Sequence, residues 1–331
     1  MTTYKGINGF AVQSVASDPS PLDEGQVWYN NATYAFKLAS VTTAGTWATG
    51  GNLNTARAYA GAAGTQTAGL FFGGISYPSF YNVTEAYNGT SWTTLPATMN
   101  TTRYGLGSAN AGTQTAALGF GGEGPGGPPT AATESYNGTS WTTVNSLTTA
   151  KIVPAGAGTQ TSALSFGGDP NSSNSQTWNG TSWTNTPSLN TSRGSLAGFG
   201  ASNTSALAAG GENPFPSISA ATESYNGSSW TTVNSMNTAR GSLGGFGTQT
   251  AGVVAAGRNS SNTPQTATEV WNGTSWTSNP NGLSTGRYYP GGFGSGSSSG
   301  AITGGYPNPA TAATEEWTGP GVAQTKTITT S

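Results

Sequence analysis

Short apolar runs alternate with polar, glycine-rich turns along most of the chain. Residues 104–144 show the pattern in four segments, which are Tyr104–Ala109, Ala116–Phe120, Ala131–Tyr136 and Thr139–Val144. Alternating apolar and polar positions predict β-strands, and turn residues separate each segment from the next. Asn137-Gly138 lies between the last two segments and predicts a type I′ hairpin, whose two central residues need positive φ. The stretch therefore predicts a four-stranded antiparallel sheet.

The same pattern returns six times at a nearly constant interval. An aromatic residue before the turn of the last hairpin marks it, and these markers define repeats one to six: Tyr87, Tyr136, Trp178, Tyr225, Trp271 and Trp317. Successive markers lie 42 to 49 residues apart, which is the length of one four-stranded propeller blade. Stacking such sheets around an axis covers both faces of each one. The sequence therefore predicts an all-β, six-bladed β-propeller over residues 43–320.

The sixth repeat lacks the second aromatic residue of the pattern. In repeats one to five a tryptophan follows the marker by five residues, at Trp92, Trp141, Trp183, Trp230 and Trp276. The chain after Trp317 has none, whereas Trp47 precedes Arg57 by 10 residues, as Trp141 precedes Lys151. We therefore expect residues 45–49 to supply the outer strand of the last blade. An N-terminal strand would then close the propeller and remove its open sheet edge.

An apolar strand that ends in Gly-Gly also recurs, followed by the marker and the tryptophan. The pairs are Gly73-Gly74, Gly121-Gly122, Gly167-Gly168, Gly210-Gly211 and Gly304-Gly305, and repeat five has Ala256-Gly257. This order of motifs resembles the kelch repeat over residues 43–320. The resemblance implies a kelch-like β-propeller but no particular activity, since propellers carry many unrelated functions.

Six of the ten cations and five of the twelve acids keep one position in the repeat. The cations are Arg57, Arg103, Lys151, Arg193, Arg240 and Arg287, and the acids are Glu85, Glu134, Glu223, Glu269 and Glu315. Repeat three has Gln176 at the acid position and is also the repeat with Lys151 instead of arginine. Because the two exceptions occur together, we expect the cation and the carboxylate of a repeat to form a structural ion pair. The alternative is a cationic ring around the central channel that binds an acidic glycan.

Composition excludes several classes of function. The 331 residues contain no Cys and no His, which excludes disulfides, imidazole or thiolate metal sites and Ser-His-Asp catalysis. Charged residues make up only 7% and the net charge is −2, so we expect no nucleic-acid binding. There is neither a signal-peptide pattern nor a run of ~20 apolar residues, so we expect no standard export and no membrane insertion. We also expect no cofactor and no metal.

Two sets of polar residues allow more than one interpretation. Asn88, Asn137, Asn179, Asn226 and Asn272 match the N-glycosylation pattern, but each also stands at the first position of a turn, and we interpret them as turn residues. Glu123, Asp169 and Glu212 follow Gly-Gly in repeats two, three and four. Converging carboxylates would suit glycoside hydrolysis, but we interpret these acids as solvated loop residues or as oxygens able to accept Ca²⁺.

The loops between the second and third strands differ from repeat to repeat, whereas the other turns are uniform. Antiparallel topology places these variable loops on one rim, which is how a scaffold presents a binding face. Their aromatic residues are the candidate ligand-binding residues: Tyr77, Phe80, Tyr81, Phe215 and Tyr306. Exposed aromatic rings suit a sugar or a protein partner. The alternative is that these rings only cover the ends of the blades.

Residues 1–42 do not follow the repeat and contain the phrase Gly-Gln-Val-Trp-Tyr-Asn at 25–30, which predicts a β-hairpin. The phrase and the Lys-bearing second strand after it resemble a hairpin of tailed-bacteriophage virion proteins. The whole chain, including its ending at residues 324–331, is similar to Gly/Thr-rich kelch-like proteins of marine phages. The chain then divides into an N-terminal docking extension (1–42), the propeller (43–320) and a C-terminal tail (321–331).

This resemblance implies a non-enzymatic structural or adhesion protein of the virion, such as a tail-fibre or appendage component. We expect it to be made in the host cytoplasm and to lie on the particle surface. Its partners would be other virion proteins and a host-surface glycan or receptor bound by the rim loops. Two alternatives are a decoration or connector protein whose rim binds other virion subunits, and a virion enzyme that degrades polysaccharide.

Overall fold

Every regular element in the described part of the chain is a β-strand, which confirms the all-β prediction. The computed structural model describes residues 12–20, 26–41, 44–169, 172–307, 309–321 and 323–328. Parts of the predicted extension and tail, at 1–11, 21–25, 42–43, 322 and 329–331, lie outside these residues. The chain divides into a smaller unit, residues 1–45 with 319–331, and a larger unit, residues 46–318.

The smaller unit is a four-stranded sheet. Its strands, in spatial order, are β1 (Gln13–Val15), β2 (Val27–Asn30), β3 (Ala35–Val41) and β30 (Ala323–Thr327). β2 and β3 form an antiparallel hairpin, and the predicted tail contributes β30, which pairs with β3. On one face Trp28 is fully buried, and its indole nitrogen and the Asn30 amide both donate to Asp18 Oδ1, at 3.0 and 2.8 Å. These bonds tie the turn before β2 to the sheet and lower the pKa of Asp18.

The described residues of the larger unit form six four-stranded antiparallel sheets, consistent with a β-propeller-like fold. Listed by repeat, the strands are β5 (Gly61–Thr65), β6 (Ala68–Phe72), β9 (Thr84–Tyr87) and β10 (Trp92–Thr94); β11 (Gly107–Ser108), β12 (Ala117–Phe120), β13 (Thr133–Tyr136) and β14 (Trp141–Val144); β15 (Ala155–Thr159), β16 (Ser162–Phe166), β17 (Ser175–Trp178) and β18 (Trp183–Thr186); β19 (Ala197–Ser202), β20 (Ser205–Ala209), β21 (Thr222–Tyr225) and β22 (Trp230–Val233); β23 (Gly244–Thr248), β24 (Ala251–Ala255), β25 (Thr268–Trp271) and β26 (Trp276–Asn279); and β27 (Gly291–Phe293), β28 (Ser299–Thr303), β29 (Thr314–Thr318) and β4 (Thr46–Thr49). In repeat one, β7 (Ile75–Ser76) and β8 (Ser79–Phe80) form an additional small hairpin.

Burial along each sheet explains why these sequences form these strands. The second strands are buried on both faces, and β6 is therefore apolar throughout instead of alternating. The fourth strand begins with a buried tryptophan and continues with exposed threonines. The first strands are rich in Gly and Ala because neighbouring first strands come close together. A Cβ on Gly156 would lie 2.1 Å from the backbone oxygen of Ser108.

Neighbouring repeats contact one another through their first strands. β5 contacts β11, β11 contacts β15, β15 contacts β19, β19 contacts β23, β23 contacts β27, and β27 contacts β5. The order of contacts follows the order of the repeats and returns from the sixth to the first. In the sixth sheet β4 pairs antiparallel with β29, and Trp47 lies opposite Trp317.

The tryptophans of the fourth strands also link each repeat to the one before it. Each indole nitrogen donates a hydrogen bond of 2.9–3.2 Å to the hydroxyl at the start of a third strand, because a buried indole N–H needs an acceptor. The pairs are Trp92 with Thr314, Trp141 with Thr84, Trp183 with Thr133, Trp230 with Ser175, Trp276 with Thr222, and Trp47 with Thr268.

The predicted type I′ turn at Asn-Gly is wrong. In repeat two the hairpin residues Tyr136 and Trp141 pair directly, so the loop has four residues, Asn137 to Ser140. Only the glycine has positive φ, at 94°. The Asn137 side-chain oxygen accepts from the backbone N–H of Thr139 and Ser140, at 3.0 and 2.9 Å, and this side-chain turn fixes the longer loop. The four equivalent asparagines make the same two bonds.

Candidate ligand-binding rim

The five arginine–glutamate pairs are buried ion pairs. In repeat two Arg103 donates a 2.8 Å hydrogen bond to Glu134 Oε1, and it also donates to the backbone oxygens of Gly121 and Ala132. The other Glu134 oxygen accepts from the backbone N–H of Asn100 at 2.6 Å. The equivalent pairs are Arg57–Glu85, Arg193–Glu223, Arg240–Glu269 and Arg287–Glu315. Each pair thus fastens the Gly-Gly turn to the third strand of its own sheet.

Burial lowers the pKa of these guanidinium groups, and the adjacent glutamate acts in the opposite direction. None of the five arginines is more than 1% exposed. The alternative of a cationic ring that binds an acidic glycan is therefore wrong, because these charges do not reach solvent.

Repeat three replaces the ion pair with a hydrogen-bonded group of three residues. Lys151 is 1% exposed, and its Nζ donates to the backbone and side-chain oxygens of Asn174, at 3.1 and 3.2 Å. Gln176 Nε2 donates to the same Asn174 Oδ1 at 2.8 Å, while its Oε1 accepts from the backbone N–H of Thr148. A lysine cannot donate usefully to the NH₂ end of a glutamine, so Asn174 supplies the shared acceptor. Burial lowers the pKa of Lys151 to about 8.

The two residues after each buried cation build one rim of the larger unit. The first pairs with the residue that follows Gly-Gly, as Tyr104 does with Glu123. The second has positive φ in every repeat, and these residues are Tyr59, Gly105, Val153, Ser195, Ser242 and Tyr289. Five backbone hydrogen bonds join the six into one chain in the order Val153, Gly105, Tyr59, Tyr289, Ser242 and Ser195. The bonds hold non-glycine residues in a region that costs about 1 kcal/mol or more each.

An aromatic cluster covers this rim at repeats six, one and two. We define it as Tyr59, Phe80, Tyr104, Tyr288, Tyr289 and Tyr306. Tyr59 stacks on Tyr289 with centroids 3.6 Å apart and meets Tyr104 edge-on at 5.7 Å. Burial raises the pKa of Tyr59 well above its usual range, and that of Tyr104 to about 12. These hydroxyls are therefore neutral at physiological pH and act as hydrogen-bonding groups.

Repeats three to five carry mostly small or aliphatic residues at the equivalent positions. The pairs after the buried cation are Ile152-Val153, Gly194-Ser195 and Gly241-Ser242. If these positions served only packing, all six repeats would carry similar residues there. The positions of the buried ion pairs follow that rule, since five of the six repeats have arginine and glutamate. The rim is therefore asymmetric, with a wall of tyrosines beside a stretch of small residues.

Arg258 follows Ala256-Gly257, the repeat-five counterpart of Gly-Gly, and joins this stretch to the aromatic rings. Its guanidinium makes two bonds of 2.9 Å to the two oxygens of Glu212, and Ser242 donates to Glu212 at 2.6 Å. The Phe215 ring lies 4.2 Å from the Arg258 guanidinium carbon. Interpreting Glu212 as a solvated loop residue is thus wrong, because this carboxylate is only 5% exposed and its charge is matched by an arginine from the next repeat.

The structure brings four of the five candidate ligand-binding residues into this network. Phe80 and Tyr306 belong to the aromatic cluster, and the backbone N–H of Tyr77 donates to the Tyr306 hydroxyl at 3.2 Å. Phe215 stacks on Arg258. Tyr81 has no part in these ring contacts among the described residues; its N–H donates to Gly74 at 2.9 Å. Tyr77 and Phe215 are the exposed rings, at 81% and 39%.

Sequence reasoning missed the tyrosines next to the buried cations, namely Tyr59, Tyr104, Tyr288 and Tyr289. Their signal was their position, since each follows Arg57, Arg103 or Arg287 by one or two residues. The apolar pattern predicts that the run after the cation, such as Tyr104–Ala109, is entirely the first strand of its sheet. Its first two residues instead lie on the rim, and the strand begins later, as β5 does at Gly61.

The space between the middle parts of the first strands is too small for a sugar. A cavity of about 100 Å³ is lined there mainly by glycine, alanine, leucine and proline, including Gly156, Gly198 and Gly245. Small-molecule sites usually occupy roughly 300–1,000 Å³. A second cavity, at the C-terminal ends of the first strands, is about 260 Å³, and a cavity on the rim beside Tyr289 is about 100 Å³. Cavity volume therefore does not favour the rim, and its candidacy rests on its exposed aromatic rings and hydroxyls.

No protein-family model matches the chain, and no curated protein matches it in sequence. Within the described residues, no three Asp or Glu side chains gather where one metal ion could be held. The described residues also contain no helix with the length and hydrophobicity needed to cross a bilayer.

Proposed function

We propose that the larger unit is a six-bladed, kelch-like β-propeller closed by the N-terminal strand β4. The hydrogen bonds from tryptophan to hydroxyl support it, because six donors and six acceptors are each used once and lead from every repeat to the preceding one. The contacts of β27 with β5 and the pairing of β4 with β29 support the same closed ring.

We propose that the protein is a non-enzymatic structural and adhesion component of a phage virion, in a tail fibre or appendage. The asymmetric rim is the observation that carries the adhesion part: identical packing needs in six repeats do not account for tyrosines in three of them. Exposed rings at Tyr77 and Phe215 beside neutral hydroxyls suit a host-surface glycan or receptor. The virion setting rests on the resemblance of the hairpin and of the chain's composition.

The smaller unit fits a docking role. Tyr29 lies opposite Phe36, and Val27 opposite Leu38, so these side chains share one face of the sheet. Val27 and Phe36 are 39% and 48% exposed. An apolar sheet face open to solvent is characteristic of a surface that binds another protein, here proposed to be a virion subunit.

The acids on the rim favour adhesion over polysaccharide cleavage. Glu212 is held by Arg258, and Glu123 accepts a 3.0 Å hydrogen bond from the Tyr104 hydroxyl. A glycosidase needs one carboxyl kept protonated and a second one across the scissile bond. The connector alternative predicts instead that the rim binds virion subunits.

The decisive experiment measures binding of the purified protein to host cells, to host envelope saccharides and to particles that lack this subunit. Adhesion predicts saccharide binding that Phe215→Ala and Tyr77→Ala weaken and Tyr34→Ala, an exposed ring of the smaller unit, does not. Binding only to particles would favour the connector. Depolymerisation lost in a Glu123→Gln, Asp169→Asn, Glu212→Gln variant would overturn the non-enzymatic assignment.

A further inference from the structure

We propose that the rim selects an uncharged, hydroxyl-rich ligand, a neutral glycan, and that Phe215 is its principal stacking ring. The inference rests on the proposed adhesion function and specifies the ligand class of that same rim. It follows from where the charges of the larger unit lie and from how the Phe215 ring is held.

The larger unit offers no free positive charge. Its seven cations are Arg57, Arg103, Lys151, Arg193, Arg240, Arg258 and Arg287, since the three undescribed residues of this unit, 170, 171 and 308, are Pro, Asn and Asn. Six of them are at most 1% exposed. The seventh, Arg258, has a side chain 14% exposed and is neutralised by two bonds to Glu212.

Partly exposed carboxylates stand on the same rim. Glu123 lies beside Tyr104, and Asp169 pairs through its backbone with Ile152. A uronate, sulfate or phosphate approaching this rim would meet negative charge with no cation available to compensate. Like charges repel, and the repulsion is stronger near a protein surface than in bulk water. Recognition of polyanions usually depends on several exposed cations, which this unit does not provide.

The Phe215 ring is positioned to stack on a sugar. The guanidinium carbon of Arg258 lies 4.2 Å from the ring centroid and covers one side of the ring. Arg258 is itself fixed by Glu212 and by Asn262, whose Oδ1 accepts a 3.0 Å hydrogen bond from Nη1. The ring is thus held in place while 39% of Phe215 stays exposed. A rigid aromatic face packs against the C–H face of a hexose, and neutral amide and hydroxyl groups nearby can bind its hydroxyls. Exposed Asn213, two residues before Phe215, supplies such an amide.

The test compares binding of neutral probes (dextran, β-glucan, galactan) and acidic probes (alginate, heparin) at low and high salt. Neutral binding that salt leaves unchanged is expected, with about a tenfold loss in Phe215→Ala and no loss in Tyr34→Ala. Binding of acidic probes that weakens with salt would overturn this inference and leave adhesion standing. Folded protein that binds host cells but no saccharide would overturn this inference and leave adhesion to a protein receptor standing, whereas binding to neither would overturn both.

A second variant tests the role assigned to Glu212. Glu212→Gln leaves the Arg258 charge uncompensated, so acidic probes should gain salt-sensitive binding. Arg258→Gln removes the charge and should gain none, which makes it the matched control. Circular dichroism and the melting temperature establish that both variants are folded. Equal behaviour of the two variants toward acidic probes would contradict the proposal.

Discussion

The indole nitrogen of Trp92 donates a 2.9 Å hydrogen bond to the hydroxyl of Thr314, 222 residues further along the chain. Trp141 makes the same bond to Thr84, only 57 residues away. The Thr314 hydroxyl also bonds the Thr303 hydroxyl at 2.7 Å. The indole bond itself is alike in both cases, but the first joins repeat one to repeat six and the second joins repeats that are consecutive in sequence. A comparison of the two bonds shows how much the junction between repeats one and six contributes to the free energy of unfolding.

Trp92→Phe and Trp141→Phe should each lower the free energy of unfolding, by about 1–3 kcal/mol, because a buried hydroxyl loses its donor. Equilibrium unfolding in urea checks both values. Replacing the acceptor as well, in Trp141→Phe with Thr84→Val, should recover part of the loss, because no buried hydroxyl is then left without its donor. A full loss at Trp141 with none at Trp92 would show that repeats one and six are not joined in solution.

Glu223→Gln should destabilise the protein by about 3–5 kcal/mol, because the Arg193 guanidinium stays buried without its carboxylate. Repeat three has no acid at the equivalent position and uses the hydrogen-bonded group Lys151, Asn174 and Gln176 instead. The triple variant Arg193→Lys, Ala221→Asn, Glu223→Gln reproduces its three residues and should be more stable than Glu223→Gln alone. Urea unfolding of the single and triple variants measures this, and equal stabilities would contradict the role given to Asn174.

Stability should rise with pH above about 8 through Lys151. Its pKa falls from 10.5 to about 8 on folding, so between these values the unfolded chain binds the proton and the folded protein does not. The free energy of unfolding then increases with pH, and below about 8 this group contributes no slope. The gain should be about 2 kcal/mol by about pH 9.5, before tyrosines ionise in the unfolded chain.

Unfolding of the wild type and of Lys151→Met across this pH range isolates that contribution. The difference between the two curves cancels the other titrating groups. A difference that stays constant with pH would mean that Lys151 keeps its ordinary pKa when folded.

Asn137→Ala should cost about 1 kcal/mol and Asn137→Asp much less, because aspartate keeps the acceptor for Thr139 and Ser140. Thermal unfolding of the two variants gives the comparison. Equal losses would indicate that the side chain matters for something other than this turn.

Features that repeat with the same residues could be predicted from sequence. The arginine–glutamate contacts followed from Lys151 and Gln176 departing together, and the pairing of Trp47 with the Trp317 strand followed from its distance to Arg57. The role of Asn174 as the shared acceptor could not be predicted, because it is a single change inside a variable loop and no periodic pattern marks it. The contact of Glu212 with Arg258 joins different repeats at positions whose residues vary, so no pattern reveals it.

The loop at Asn-Gly shows a limit of a different kind. The dipeptide is common to two-residue and four-residue loops, and the choice depends on which backbone groups the Asn137 side chain binds. The rim tyrosines were hidden because the chain turns onto the rim before entering the first strand. Such local changes of direction depend on positive φ at Tyr59 and its equivalents, which composition does not reveal.

The pairing of β4 with β29 has a consequence for biosynthesis. Trp47 leaves the ribosome long before Trp317 exists, so the sheet that contains both is the last of the six sheets of the larger unit to be completed. Until then the nascent chain carries a strand with no neighbour, which is the kind of edge that recruits other chains. A prematurely terminated product would keep that edge permanently, so only chains translated through the sixth repeat bury it.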